Sequence, residues 1–193
     1  MESMQISSNG KIIIGGPQYA RGTIKVSGAK NSVLPIMACA VLTDDEIVLR
    51  NAPDLADVNT MVEILEACGK KVERKDKDLI ITKYSELNSD IPYETVRKAR
   101  ATFNVYGPLA MRLKNAKVAL PGGCSIGVRP VNFHLEGLKK LGIISDIEHG
   151  YAVSTFEKKE GEISVYLPFP SVGATEHIIS AATLLKNSTV KIY

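Results

Sequence analysis

Leu120 to Pro130 reads LPGGCSIGVRP and sets Cys124 directly behind two glycines, with Arg129 five residues further on and Pro130 after it. Glycine pairs permit tight turns, and a thiol in such a turn is held out of an apolar core. A neighbouring guanidinium stabilises a thiolate and can also receive an anion. The same stretch, taken alone, also reads as a surface turn whose cysteine is incidental.

Three turns that lead into helices carry groups suited to anions. Ser27 to Asn31, SGAKN, places Lys30 and Asn31 at a helix start. Gly127 to His134, GVRPVNFH, places Arg129 before Pro130, and proline suits a first helical turn. Pro170 to His177, PSVGATEH, offers Ser171, Val172 and Gly173 ahead of a third helix. A helix start presents unpaired N–H groups and partial positive charge. If repetition relates these turns by rotation, they converge at one end of the domain. With Arg100 from VRKARAT they would then line a single cleft suited to a phosphate-rich substrate.

Each piece also has a plainer reading. SGAKN by itself is a capped turn, and SVGAT lacks the lysine of a P-loop. Cys39 and Cys68 fall within apolar helix patterns and are expected to be buried rather than reactive. His134 suits a hydrogen-bonded core or capping role, while His149 and His177 have no partner visible in the sequence. No serine–histidine–aspartate arrangement can be argued from residue order.

The elements that must position these groups recur. A helix ending in glycine, followed by a short hairpin, reads VNTMVEILEACGKKVERKDKDLIIT at Val58 to Thr82 and VNFHLEGLKKLGIISDIEHGYAVST at Val131 to Thr155. Gly69 and Gly142 stand where C-caps are expected, and KDKD and EHG are the hairpin turns. A strand, turn, apolar helix and second strand recur as GTIKVSGAKNSVLPIMACAVLTDDEIVLRN and GEISVYLPFPSVGATEHIISAATLLKNSTVKIY. The predicted fold class is therefore α/β (α+β), with a βαβαββ unit used about three times and the third unit stopping mid-way at Tyr193. Helices around Ser32 to Leu42 and Ala174 to Leu185 are apolar on most faces, which calls for sheets outside and buried helices inside.

Composition narrows the functional classes. The chain has 193 residues, 45% hydrophobic and 23% charged, which suits a soluble globular protein. Its net charge of +3 demands neither nucleic acid nor an anionic membrane. Tryptophan is absent, so no aromatic-basic stripe for base stacking arises. The three cysteines show no ligand spacing with one another or with the three histidines, and no metal site or other cofactor is expected. The N-terminus lacks the pattern of a signal peptide, and SVLPIMACAVL is too short for a membrane span. These features point to a cytoplasmic protein.

SGAKNSVLPI, VRKARATFNVYGPLA, LPGGCSIGVRPVNFHLEGLKKLG and SVGATEHIISAATL occur in that order, and together they closely resemble the UDP-N-acetylglucosamine enolpyruvyl transferases (1-carboxyvinyltransferases) of bacterial cell-wall synthesis. The resemblance runs from about Ile12 onward, and its PGGC–G-x-RP element is the most specific part. It implies an enolpyruvyl transferase-like domain and transfer of the enolpyruvyl group from phosphoenolpyruvate to the sugar 3-hydroxyl, releasing phosphate. It further implies Cys124 as proton donor and as a target of fosfomycin-type epoxides. Lys30, Asn31 and Arg129 match the phosphoenolpyruvate site. Arg100 and the run Arg129, Pro130, Val131, Asn132 and Phe133 match UDP-sugar contacts. Phe169, Pro170, Ser171 and Val172 match the segment that holds the diphosphate. The chain departs from some members at Phe169 and Ala56, where they carry lysine, and at Asn132, where they carry aspartate.

In that family two similar domains close over the substrates, and the second supplies a further carboxylate and arginines. Residues 23–193 correspond to most of one domain, and residues 1–22 are expected to belong with the other. The expected partners are the two small-molecule substrates and that second domain, with neither nucleic acid nor membrane. By itself the chain is expected to bind UDP-sugar weakly and not to turn over. The alternative is a half-length protein that binds UDP-sugars or a partner without catalysis.

Overall fold

The computed structural model describes residues 5–6, 12–13, 19, 21–96, 100–121 and 131–193, with the backbone alone described at 5–6, 12–13 and 100. Near the N-terminus β1 (Gln5–Ile6) pairs antiparallel with β2 (Ile12–Ile13). The first repeat then runs α1 (Lys30–Ala38), a 3-10 turn at Cys39–Leu42, β3 (Ile47–Leu49), α2 (Ala56–Ala67), β4 (Lys70–Lys75) and β5 (Asp78–Lys83). The second comprises β6 (Asp90–Ile91), α3 (Tyr93–Val96), a 3-10 turn at Arg100–Val105, α4 (Tyr106–Leu113), β7 (Ala116–Ala119), α5 (Asn132–Lys140), β8 (Ile143–Glu148) and β9 (Tyr151–Phe156). The third holds β10 (Gly161–Val165), α6 (Val172–Ala182) and β11 (Ser188–Ile192).

The sheets follow one plan. Strands joined through a helix lie parallel, as β6 with β7 and β10 with β11, because the crossover returns the chain to the same end. The hairpin that follows a helix docks its second strand beside the preceding single strand, giving the orders β3-β5-β4 and β6-β7-β9-β8. Only the second repeat carries every strand of the predicted βαβαββ unit among the described residues.

One predicted strand is corrected. GTIKV, Thr23 onward, forms no strand, and Ile24 and Val26 stand 87% and 81% exposed. Strand propensity there has no ladder to join, since the one neighbour of β3 among the described residues is β5. The glycine signals held: Gly69 and Gly142 follow α2 and α5 at φ 97° and 96°, and their amides donate to Glu66 and Lys139 carbonyls. Both hairpins turn where expected, with Lys75 opposite Asp78 and Glu148 opposite Tyr151.

The helices fill the space between the sheets. Val33, Leu34, Met37 and Val41 of the first repeat join Met61, Ile64 and Leu65 of α2, Phe103 to Met111 around α4, and Leu138, Ile178 and Ala181 of α5 and α6 in one core. The far end of the first helical segment is fixed by cations. Lys70 Nζ donates to the Thr43 carbonyl, and Arg112 donates to the Val41 carbonyl at 2.9 Å while gripping Asp44 at 2.6 Å. Carbonyls at a helix C-terminus welcome such positive charge, and the Arg112 guanidinium holds the Asp44 carboxyl below its usual range. Burial is less complete than the sequence suggested for α6, where Val172 and Ile179 are 76% and 53% exposed. Among the described residues no helix is long and apolar enough to cross a membrane.

Candidate functional site

α1 begins at Lys30 behind Ala29, a residue with no side chain able to cap. The amides of Lys30 and Asn31 therefore look to solvent or ligand, while that of Ser32 donates to the Ala29 carbonyl at 3.2 Å. Pro35 lies inside the helix and removes the amide that would bond the Asn31 carbonyl, which leaves polar groups of both kinds at this end. Lys30 Nζ sits 2.9 Å from Asp57, in the first turn of α2. Both side chains are partly exposed, so the pair is a loose one that an incoming anion can contest.

α5 also starts without a side-chain cap, since Val131 precedes it, and its first turn has no acidic residue. Val131 and Phe133 are half-buried and Asn132 is exposed. α6 starts differently. Ser171 Oγ accepts from the Ala174 amide at 3.3 Å, and Thr175 Oγ1 donates to the Ser171 carbonyl at 2.9 Å. The amides of Val172 and Gly173 remain without an intrahelical acceptor, as in the first turn of any helix. Phe169 is 67% exposed, beside Pro170. An open cavity of about 630 Å³ lies here, lined by Leu167, Pro170, Ser171, Val172, Ile179 and Tyr193 among others.

The α5 and α6 starts are close neighbours. A Cβ placed on Gly173 would stand 3.6 Å from Cε1 of His134, which belongs to the first turn of α5. Deeper down, a Cβ on Gly137 would stand 2.7 Å from Ile178 Cγ1, so the absent side chain is what lets these helices pack so tightly. The structure thus joins Val131–Phe133 and Ser171–Val172 at one end of one helix pair. The Lys30 contact is with α2 instead. Cys124, Arg129 and Pro130 lie outside the described residues, and Arg100 is placed only by its backbone in the 3-10 turn that precedes α4.

The other predicted thiols are structural. Cys68 is fully buried, and burial pushes its thiol up to about 12. Cys39 is partly buried, which also raises it. Sequence reasoning missed the partner of His177. Its ring Nδ1 lies 3.0 Å from His134 Nδ1, and its Nε2 accepts from the Gly107 amide at 2.8 Å. No local pattern could have revealed this, because the two histidines are 43 residues apart in the chain.

Repeated βαβαββ units wrapped around buried helices, with the α5 and α6 starts set side by side, define an enolpyruvyl transferase-type domain. The fold is shared with the enolpyruvyl transferase NikO from Streptomyces tendae at TM-score 0.67 and 16% identity, over 86% of this chain and 38% of that one. It is shared to the same TM-score with EPSP synthase from Acinetobacter baumannii, at 14% identity and the same coverage. The profile of the family described as EPSP synthase (3-phosphoshikimate 1-carboxyvinyltransferase) matches residues 14–193, and the chain belongs to that family. Within it, the chain is 51% identical over 95% of its length to the UDP-N-acetylglucosamine 1-carboxyvinyltransferase of Thermotoga petrophila, covering 44% of that protein. The protein of the same name from Fervidobacterium nodosum is 53% identical over 88% of this chain and 40% of its own. The chain thus spans less than half the length of the curated relatives it matches.

Proposed function

We propose that this chain supplies the UDP-sugar-binding part, together with the cysteine proton donor, of a UDP-N-acetylglucosamine 1-carboxyvinyltransferase, the enzyme of the first committed step of peptidoglycan synthesis in the cytoplasm. The observation that carries the reading is the 51% identity across 95% of the chain to a protein of that name. In the addition step the carboxylate expected from the second domain takes the proton of the sugar 3-hydroxyl, whose oxygen bonds C2 of phosphoenolpyruvate, while C3 takes a proton. In the elimination step C3 gives up a proton, the C2–C3 double bond reforms and the C2–O bond to phosphate breaks. Cys124 supplies the proton to C3.

The remaining residues bind and orient. Lys30 leaves Asp57 for the phosphate of phosphoenolpyruvate, beside Asn31, and Arg129 adds a second positive charge to phosphate or carboxylate. Arg100, Pro130 and the α5 start from Val131 to Phe133 receive the nucleotide sugar, with the exposed Asn132 amide free to bond a base edge. Phe169 and Pro170 lead the diphosphate onto Ser171, Val172 and the first-turn amides of α6. Residues 1–22 pack with the remainder of the enzyme, which covers the site during turnover.

Calorimetric titration of the 193-residue chain with UDP-N-acetylglucosamine tests the reading. Weak binding is expected, with Kd on the order of 1 mM or below, and no phosphate release from phosphoenolpyruvate, because closure over the substrates is what excludes water and aligns them. Absence of binding at tens of millimolar ligand overturns the assignment; phosphate release above background overturns the division of labour. A fosfomycin-type epoxide should add once, at Cys124, with Cys39 and Cys68 unmodified in a peptide map.

A further inference from the structure

Three helix starts meet at two imidazoles that the reaction leaves unused. His177 Nε2 accepts from the Gly107 amide in the first turn of α4. That nitrogen therefore carries no proton, and in the neutral ring the proton sits on Nδ1, facing His134 Nδ1 at 3.0 Å. His134 Nδ1 must then accept, which places the His134 proton on Nε2, on the side that borders Gly173. The two facing nitrogens hold one proton between them; a second would set two N–H groups head to head. Phe103 closes the site edge-on, 6.1 Å from His134 and 5.6 Å from His177. The Tyr106 ring stands edge-on to His177, and its hydroxyl is committed to Ser145.

We propose that His134 and His177 are a positioning pair, whose single shared proton sets the separation of the α5 and α6 starts and with it the spacing of the Val131–Phe133 and Ser171–Val172 segments for the nucleotide sugar. The functional half of this inference rests on the UDP-sugar reading above. Neither imidazole needs to touch the ligand. Each holds one wall of the place where the ligand is gripped.

Two substitutions separate the two bonds of His177. His177→Asn places an amide nitrogen near the Nδ1 position and keeps a donor for His134, but abandons the Gly107 amide. His177→Gln reaches the Nε2 position and keeps an acceptor for Gly107, but abandons His134. The readouts are ring 15N shifts of the unaltered chain, backbone amide shifts of both variants, melting temperature, and affinity for UDP-N-acetylglucosamine. The expected ring pattern is Nδ1–H on His177 and Nε2–H on His134. Affinity should stay within about threefold in the asparagine variant and fall about tenfold or more in the glutamine variant, without following the order of their melting temperatures. Equal losses in both variants, or affinity that simply tracks melting, overturns the proposal, as does an Nε2–H on His177. If the unaltered chain binds no UDP-N-acetylglucosamine, the functional reading falls and the amide shifts decide the pair. The glutamine variant must then move residues 131–133 and 171–174 together and the asparagine variant must not; the same response from both overturns it.

Discussion

A buried imidazole that must stay neutral makes a protein sensitive to acid. Burial, and then the charge His134 would carry, hold His177 well below its ordinary value of 6.5. Tyr106 from α4 and His134 from α5 are the titratable groups ringed around it, while Phe103 is apolar. The unfolded chain takes up a proton near the ordinary value and the folded chain does not, so this residue's contribution is fully present above about pH 6.5 and is lost as pH falls below it. Stability from urea unfolding should therefore change little above about pH 6.5 and fall below it, by up to roughly 1.4 kcal/mol for each pH unit, and His177→Asn should flatten that slope. At the surface the balance differs. Asp57→Asn releases Lys30 from a solvent-screened pair and should cost under about 1 kcal/mol in a denaturant melt; under the proposed function it should also raise affinity for phosphoenolpyruvate by removing the competing carboxylate.

Helices α5 and α6 touch through the bare face of Gly137, and this contact is specific enough to be broken by one carbon. Gly137→Ala would drive its methyl into Ile178 and should cost about 1–3 kcal/mol by thermal or urea unfolding. Ile178→Val removes the outermost carbon in the way, so the double variant should recover part of that loss, a coupling that a double-mutant cycle reads directly. The difference between local and distant signals also explains what was legible in the sequence. Gly69, Gly142 and both hairpin turns were legible because each depends on a few adjacent residues. So were the helix starts at Lys30 and near Asn132, while α6 begins at Val172, two residues before the Ala174 expected. The strand expected at Thr23–Val26 was misread, because a strand exists only with a ladder partner. The His134–His177 contact was invisible because only the packing of two repeats creates it. The thiol turn was recognisable by resemblance, and its geometry lies outside the described residues.

The molecule as a whole is well packed inside and unevenly finished outside. Val172 and Ile179 on α6, with the stacked rings of Tyr166 and Tyr193 at 4.7 Å, expose an apolar strip beside the open cavity. Large exposed apolar strips bind other apolar surfaces. Ile179→Lys should change stability by no more than about 0.5 kcal/mol, yet reduce binding of an apolar dye and concentration-dependent self-association in light scattering. The first sheet carries a different consequence. Its β3 has β5 on one side and no strand on the other among the described residues, whereas the matching strand of the second repeat, β7, is flanked by both β6 and β9. An edge strand with no second partner among the described residues, together with the exposed and unpaired Ile24 and Val26, is a template for pairing between chains. Yield on dilution from denaturant should accordingly suffer most in crowded solutions, with entangled chains joined through the first repeat.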